Sequence, residues 1–314
     1  ITFSVSIFVW NDGYFLTSLI SFPCFIFMYV ASSAHAFLTE GKQKRMIKGA
    51  FAQYLAPDMV DALIADPEKL QLGGEKRIMT IMFCDVRGFT AISEALKSTP
   101  EVLTEVINTL LTDLSNDILE CGGTIDKYMG DCIMAFWNAP VENSKHAELA
   151  VEAAKKMMKT IYRVNDKVQE ERPNIPPLRI GIGIGTGECV VGNMGSKQRF
   201  DYTVLGDVVN LSSRLEGQTK GYGVLTIICK NTAGKVSNLE TEVLEIDKIR
   251  VKGKTEPETI YAILEDPDTK INIASVSEYL KAFRLGHLKD ASKILQKIPE
   301  EGSSLSNYKK LMLE

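Results

Sequence analysis

Charges are distributed very unevenly along the 314 residues of this sequence. Among its 36 basic and 40 acidic residues, Asp12 alone falls within residues 1–38, and Tyr14–Leu38 has no charged residue over 25 positions. About 20 such residues in a helix are enough to cross the hydrocarbon core of a bilayer. We therefore predict transmembrane segments in residues 1–40, with the end of one span followed by a full span at about 14–38.

Basic residues follow this uncharged stretch directly, at Lys42, Lys44, Arg45 and Lys48. By the positive-inside rule they predict a cell (inner) membrane protein whose larger C-terminal part is cytoplasmic. A buried core helix and an uncleaved signal peptide are the alternatives, although a signal peptide carries its basic residues before the apolar run. Because the first residue is Ile1, we expect the sequence to begin inside a longer chain.

The composition as a whole is that of a globular protein. Hydrophobic residues make up 45% and charged residues 24%, values that exclude wholesale disorder and collagen-like repeats. A net charge of −4 argues against nucleic acid as the main partner. The six cysteines include no C-x-x-C pair, so neither a disulfide scaffold nor a cysteine zinc site is expected.

Changes of pattern divide the rest of the chain into three parts. Residues 41–74 have apolar side chains at helical spacing and predict a helical connector. Over 75–265, short apolar runs alternate with amphipathic helical stretches and hairpins, which is typical of an α/β layer with a mixed sheet. Residues 266–314 predict a helical C-terminal extension with a turn at Gly286.

Apolar periodicity also predicts the main elements of the central part. The predicted elements are strands at 78–86 and 179–185, hairpins at 124–137 and 188–205, and helices at 100–120, 147–170 and 208–217.

The glycine run GIGIGTG at 181–187 suggests at first a dinucleotide-binding loop. It never completes G-x-G-x-x-G, because the sixth positions counted from its glycines are Thr186, Glu188 and Val190. We expect instead strand glycines that let a neighbouring backbone approach closely.

Two aspartates are predicted at the ends of neighbouring strands. Asp85 ends an apolar strand in FCDVRGFT (83–90), and Asp131 lies at the hairpin tip in KYMGDCIMAFW (127–137). Taken singly, each is typical of turn or cap chemistry. Side by side, their carboxylates would repel unless cations lay between them, and two Mg²⁺ between carboxylates suit in-line phosphoryl displacement.

Two further motifs are DYTVLGDVVNLSSRLE (201–216) and RVKGKT (250–255). Together with the aspartate motifs they resemble the class III nucleotidyl cyclases, and more narrowly the bacterial membrane-bound adenylyl (adenylate) cyclases, over about 75–264. The resemblance implies an α+β (α/β sandwich) fold, a ferredoxin-like catalytic core with an added β-hairpin, here preceded by a transmembrane helix. In that subgroup a sensor outside the membrane precedes the spans, and it would be missing from this sequence.

The resemblance also assigns metal and phosphate contacts. Asp85 and Asp131 match the two metal-binding aspartates, and the carbonyl of Val86 matches the backbone ligand, for two Mg²⁺ or Mn²⁺ ions per site. Phe89 and Thr90 match the phosphate-contacting turn at the start of the following helix.

Other matched residues would act on the substrate from a second subunit. Arg214 matches the arginine that stabilises charge on the α-phosphate, Asn210 lies one helical turn earlier, and Lys252 matches the lysine on the terminal phosphates. Lys127 and Thr203 match the two base-reading positions. A lysine donates to N1 of adenine and the threonine accepts from its exocyclic amine, whereas guanylyl cyclases have Glu and usually Cys or Ser, so the pair indicates ATP.

The implied activity is that of an adenylate cyclase, a phosphorus–oxygen lyase that forms 3′,5′-cyclic AMP and pyrophosphate in membrane-linked signal transduction. Because the chain carries both sets of residues, a homodimer with two equivalent sites is expected. Two alternatives stay open. One is a guanylyl cyclase, and the other is a catalytically silent cyclase-like module that serves as a membrane receptor or scaffold.

Overall fold

A computed structural model describes residues 24–33, 35, 74–195, 200–236, 243–250, 256–264, 269–296 and 306–313. The chain divides into two compact units, Ile1–Gln53 and Tyr54–Glu314. In the first unit residues 24–33 are helical and exposed. Within the ranges just given, no helix is both long enough and apolar enough to cross a membrane. Most of the predicted span at 14–38, and all of the predicted connector at 41–74 except Gly74, lie outside the described residues.

The described part of the larger unit forms one sheet with helices packed against it. Its elements are β1 (Gly74–Arg87), α1 (Phe89–Ala95), α2 (Pro100–Glu120), β2 (Thr124–Met129), β3 (Cys132–Trp137), α3 (His146–Glu171), β4 (Arg179–Gly195), β5 (Phe200–Leu205), α4 (Asp207–Tyr222), β6 (Thr226–Cys229), α5 (Lys230–Val236), β7 (Val243–Ile249), β8 (Glu258–Ile263), α6 (Thr269–Arg284), α7 (Leu288–Leu295) and α8 (Ser306–Leu313).

The sheet runs in the order β2-β3-β1-β4-β6-β8-β7, and β5 pairs with β4 outside that path. All the pairs are antiparallel except β4 with β6, which is parallel. The predicted mixed sheet with helices against it is therefore confirmed.

Strand β1 is buried on both faces in its second half. Met82 and Cys84 pack into the core formed with α2 and α3, whereas Met79, Ile81 and Phe83 pack into a separate cluster on the other face. A strand covered on both faces is expected to have a continuous apolar run rather than an alternating one. The predicted strand at 78–86 is confirmed, and it begins four residues earlier because Gly74–Arg77 pair with β4 while staying largely exposed.

Strand β4 is longer than predicted. A strand at 179–185 and a separate hairpin from 188 were expected, but Arg179–Gly195 is one continuous strand. It continues because every residue of β1 pairs with it, from Arg87 opposite Arg179 to Gly74 opposite Gly192. Its last part still forms the predicted hairpin with β5.

The glycines of β4 allow α4 to pack directly on the strand. A Cβ at Gly183 would overlap the backbone nitrogen of Glu216 and the backbone oxygen of Ser212. A Cβ at Gly185 would lie 2.5 Å from the hydroxyl oxygen of Ser212. The prediction of strand glycines at a close backbone approach is confirmed.

The helices of the C-terminal extension pack onto the β7 end of the sheet. Tyr308 of α8 is fully buried, stacks on Tyr222 of α4 and donates a hydrogen bond of 2.9 Å to the carbonyl of Ile246. The predicted turn lies between α6 and α7, where Gly286 has a φ of +77°. These helices share one hydrophobic core with α4, β6, β7 and β8.

Candidate active site

Asp85 and Asp131 lie at the ends of adjacent strands. Cys84 pairs with Ile133 in the register of β1 with β3, so one further step places Cys132 opposite Asp85. Asp131 directly precedes Cys132, in the two-residue turn between β2 and β3 that Gly130 begins with a φ of +68°. The hairpin thus brings the two predicted metal-binding aspartates to neighbouring strand ends.

The electrostatics of this strand end are dominated by carboxylates. Burial raises the pKa of Asp85, the charge of Asp131 raises it further, and a hydrogen bond from the backbone amide of Val86 partly offsets both. Burial and the charges of Asp85 and Asp131 raise the pKa of Glu216 to about 7, although the guanidinium of Arg87 opposes this shift. Burial and the charge of Asp85 also raise the pKa of the Cys132 thiol to about 12.

This donor set fits a hard divalent cation. Carboxylate and carbonyl oxygens are the ligands of Mg²⁺, which commonly takes one or two carboxylates and fills its other positions with water and substrate phosphates. A bound cation would also relieve the repulsion that raises the pKa of Asp85. Among the described residues no three side chains of His, Cys, Asp or Glu converge as a metal-binding cluster. The residues that could hold such a cation are the predicted ones, Asp85, Asp131 and the carbonyl of the buried residue Val86.

The turn that was predicted to contact phosphate, at Phe89 and Thr90, lies directly after this strand end. Gly88 adopts a left-handed conformation with a φ of +73° and forms the N-cap of α1, which begins at Phe89. No side chain caps the start of α1, so the first backbone N–H groups are not covered by a capping side chain. Thr90 is exposed at this helix start.

Lys127 and Thr203 both contact Asp126, a residue that was not among the predicted site residues. The hydroxyl of Thr203 donates to Oδ2 of Asp126 at 2.5 Å, and Nζ of Lys127 lies 3.2 Å from Oδ1 of the same carboxylate. The side chain of Asp126 is completely buried, and burial raises its pKa, although Thr203 and Lys127 both favour its charged form. The two predicted base-reading residues therefore contact one buried carboxylate, Thr203 by a hydrogen bond and Lys127 by an ion pair.

A β-bulge explains how Asp126 reaches both partners. The register of β2 with β3 shifts between Ile125 and Lys127, which leaves Asp126 without a paired residue on β3. A bulge of this kind redirects a side chain out of the regular alternation of the strand. Thr203 comes from β5, where it pairs with Gly192 of β4.

Helix α4 carries the remaining predicted residues that the structure describes. Asn210 is exposed and Arg214 is half-buried, one helical turn apart and therefore on one face. Lys252 lies outside the described residues. Glu216, on the same helix, was not predicted, and its place in the 201–216 motif was the sequence signal for it.

Comparison with known proteins decides the family. Residues 74–265 match the sequence profile of the adenylate and guanylate cyclase catalytic domain, which is more than half of the chain. The chain belongs to this cyclase family.

Curated relatives of this cyclase include two bacterial adenylate cyclases. An adenylate cyclase of Anabaena cylindrica is 36% identical over 225 residues, which cover 70% of this chain and 42% of that protein. Adenylate cyclase 1 of Rhizobium meliloti is 31% identical over 217 residues, covering 68% of this chain and 31% of that protein. The chain thus spans less than half the length of these relatives.

Solved structures of both base specificities resemble the cyclase. The adenylyl cyclase CyaB of P. aeruginosa is 34% identical, with a TM-score of 0.57 over 62% of this chain and 97% of that chain. The guanylyl cyclase Cya2 is 35% identical, with a TM-score of 0.55 over the same shares. The fold is therefore the mixed α/β fold of cyclase catalytic domains, a family that acts on nucleotides, generally with divalent metals and as dimeric catalytic domains.

Proposed function

We propose that this cyclase is an adenylate cyclase that converts ATP to 3′,5′-cyclic AMP and pyrophosphate at a homodimer interface. The observation that carries the choice of ATP is that Asp126 accepts a hydrogen bond from Thr203 and forms an ion pair with Lys127. The sequence identities to an adenylyl and a guanylyl cyclase are nearly equal, so the choice between the two bases rests on these three residues.

Asp126 fixes which way the two base-reading residues can bond. The hydroxyl hydrogen of Thr203 is used by Asp126, so the oxygen of Thr203 faces a ligand as an acceptor. Lys127 is a donor only, and its ammonium group forms an ion pair with Asp126. Adenine offers a matching pattern, with a donor at its exocyclic amine and an acceptor at N1. Guanine has an acceptor at O6 and a hydrogen at N1, so both of its bonds would be mismatched.

In the proposed reaction the ribose 3′-oxygen attacks the α-phosphorus. The new bond joins O3′ to the α-phosphorus, the bond to the leaving pyrophosphate breaks, and the 3′-hydroxyl proton passes to solvent. Arg214 would bind the α-phosphate oxygens as their charge rises, and Asn210 would contact the same part of the substrate. Phe89, Thr90 and Lys252 would hold the other phosphates.

Two divalent cations would lie beside Asp85, Asp131 and the Val86 carbonyl, where they would lower the pKa of the 3′-hydroxyl and neutralise the phosphates. The chain's own contribution is to hold the oxygen ligands at adjacent strand ends. The raised pKa of Asp85 means that a proton competes with the cation for this carboxylate.

The first test measures cyclic AMP formation by the purified chain in detergent with Mn²⁺ and ATP. We expect activity with ATP, little with GTP, and loss of activity in Asp85→Ala. Asp166→Ala is the matched control, because Asp166 is an exposed aspartate on α3. Greater turnover of GTP would instead support the guanylyl cyclase alternative. A folded protein that binds ATP without turnover would support a silent module.

The homodimer is tested by mixing two inactive variants. If the metal-binding residues and Arg214 act across the interface, Asp85→Ala mixed with Arg214→Ala forms heterodimers with one intact site and one doubly defective site. Random mixing should restore about a quarter of wild-type activity. No recovery, in a mixture shown to exchange subunits, would contradict sites shared between subunits.

Attachment to a membrane is part of the proposal and rests on the uncharged stretch Tyr14–Leu38. We expect the chain to float with lipid vesicles in a density gradient and to resist extraction at alkaline pH. A chain beginning at residue 41 should stay at the bottom of the gradient. Equal behaviour of the two chains would contradict this part of the proposal.

A further inference from the structure

Helix α4, which carries Asn210 and Arg214, ends at a buried pair of tyrosines. Tyr222, the last residue of α4, donates a hydrogen bond of 2.5 Å to Oδ2 of Asp247 on β7. The ring of Tyr308, on α8, stacks on that of Tyr222 with 6.4 Å between the ring centroids. Tyr222 is 7% exposed and Tyr308 is fully buried. The end of α4 is therefore joined to both β7 and α8.

A β-bulge in β7 lies at these contacts. The register of β7 with β8 shifts between Glu245 and Asp247, which leaves Ile246 without a paired residue on β8. The carbonyl of Ile246 accepts a hydrogen bond of 2.9 Å from the hydroxyl of Tyr308. Because Ile246 is fully buried, this bond satisfies a backbone oxygen that water does not reach. Tyr308 therefore contacts β7 by its hydroxyl and α4 by its ring.

Both of the joined elements lead to residues assigned to the substrate phosphates. Arg214 lies eight residues before Tyr222 on α4, or about 12 Å along a helix that rises 1.5 Å per residue. Lys252 lies five residues after Asp247 in the sequence. Because a close-packed interior transmits small displacements, a shift at Tyr222 and Asp247 would move the helix that carries Arg214.

The contacts of Tyr308 come from a part of the chain that the family profile does not include, since the match ends at residue 265. Lys309, next to Tyr308, donates a hydrogen bond of 3.3 Å to the carbonyl of Gln296 at the end of α7. Arg284 of α6 forms an ion pair of 2.6 Å with Glu245 of β7. The C-terminal extension therefore holds α8 and β7 in place together.

We propose that Tyr308 is a positioning residue for catalysis, which sets the place of Arg214 through its contacts with Tyr222 and with β7. This inference rests on the proposed cyclase reaction. Tyr308 is fully buried, so it acts on the substrate only through the elements that it contacts. Since Arg214 was assigned to charge that rises in the transition state, its displacement should lower turnover more than substrate binding.

The first test is Tyr308→Phe in the full chain, which keeps the stacked ring and removes the hydrogen bond to Ile246. With Mn²⁺ and ATP, kcat should fall about tenfold while KM for ATP stays within about twofold. Tyr222→Phe, which loses the bond to Asp247, should give the same pattern. Tyr279→Phe is the matched control, because Tyr279 is a buried tyrosine of the same core whose hydroxyl has no hydrogen-bond partner among the described residues. It should leave kcat unchanged.

A double-mutant cycle separates positioning from a general loosening of the fold. When Tyr308→Phe is combined with Arg214→Ala, the residual turnover of Arg214→Ala should fall no further, because the positioned side chain is already absent. A further tenfold loss in the double variant would contradict the positioning role. An unchanged kcat in Tyr308→Phe alone would also contradict it.

Hydrogen exchange gives a second readout, which does not depend on turnover. In Tyr308→Phe, the backbone amides of residues 212–222 in α4 should exchange about tenfold faster, whereas those of α2 should keep their wild-type rates. Unchanged exchange in α4 would overturn the proposal. A wild-type chain that forms no cyclic AMP would count against the proposed reaction alone, and faster exchange in α4 would then still support the contact of Tyr308 with this helix.

Discussion

The two halves of the candidate site differ in how neighbouring groups act on their buried carboxylates. Burial raises the pKa of Asp85 in one half and of Asp126 in the other. Beside Asp85, the charge of Asp131 adds to the effect of burial. Beside Asp126, Lys127 and Thr203 oppose it. The half around Asp126 therefore supplies its own counter-charge, whereas the half around Asp85 needs one from outside the chain.

This difference indicates how the site is assembled. The predicted base-reading residues, Lys127 and Thr203, are held in position by their contacts with Asp126, so their geometry exists before a ligand arrives. The negative charges of the half around Asp85 are balanced when a divalent cation binds. A nucleoside triphosphate brings such a cation with it. Metal and phosphates would thus complete one half, while the base enters a half that is already formed.

The largest expected effect comes from Asp85→Asn, which keeps the shape of the side chain and removes its charge. With Mn²⁺ and ATP, turnover should fall about a thousandfold, since a metal ligand is lost. In EDTA, however, the melting temperature should rise, because repulsion from Asp131 disappears. A lower melting temperature would show that the charge of Asp85 is already balanced in the metal-free protein. Calorimetry and a cyclic AMP assay measure the two results.

Gly183→Ala should displace helix α4 from strand β4. Its Cβ would overlap the backbone of α4 at Ser212 and Glu216, and backbone atoms cannot rotate away, so the free energy of unfolding should fall by about 1–3 kcal/mol. Because α4 carries Arg214, activity should also fall. Urea unfolding measures the first effect. Gly217→Ala is the control: its Cβ meets open space within the same helix, and it should stabilise by about 0.5–1 kcal/mol.

Asp126→Asn tests whether the other half is fixed by its buried carboxylate. The variant loses the ion pair with Lys127 and allows Thr203 to act as donor or acceptor, so the ratio of kcat/KM for ATP over GTP should fall about tenfold. Asp117→Asn is the control, because Asp117 on α2 is a half-buried aspartate whose pKa is also raised by burial. An unchanged ratio in Asp126→Asn would remove Asp126 from base selection.

The smallest expected effect is a pH dependence of stability caused by Glu216. Its pKa is raised to about 7 from an ordinary value of 4.5, so the folded protein holds a proton that the unfolded chain has released. Stability therefore falls as pH rises from about 4.5 to about 7. In EDTA, Glu216→Gln should flatten this fall in melting temperature by a few degrees. A fall as steep in Glu216→Gln as in the wild type would assign it to other groups.

The elements that sequence periodicity predicted well are those with a clear apolar face. The helix predicted at 100–120 coincides with α2, whose buried residues recur at helical spacing from Val106 to Ile118. The length of β4 could not be predicted, because it depends on pairing with β1 about 100 residues earlier in the chain. Strands β6, β7 and β8, which have 4–7 residues each, were not predicted individually.

The same limit applies to the candidate site. The motifs contain most of its proposed residues, but motifs do not reveal which side chains bond to one another. Asp126 and Thr203 are 77 positions apart, and only the bulge in β2 and the pairing of β5 bring them together. Glu216 could not be recognised as part of the site from its motif alone. It acts on Asp85 because α4 packs on the glycines of β4.

The burial of Tyr308 determines which residues must be transferred together if this domain is moved into another protein. The family match ends at residue 265. Helix α4 nevertheless packs against Tyr308 of α8, which stacks on Tyr222. A gene fusion or recombination event that cut at residue 265 would leave Tyr222 and the Ile246 strand without their cover. The smallest transferable unit of this cyclase therefore extends through α8, almost to the last residue of the sequence.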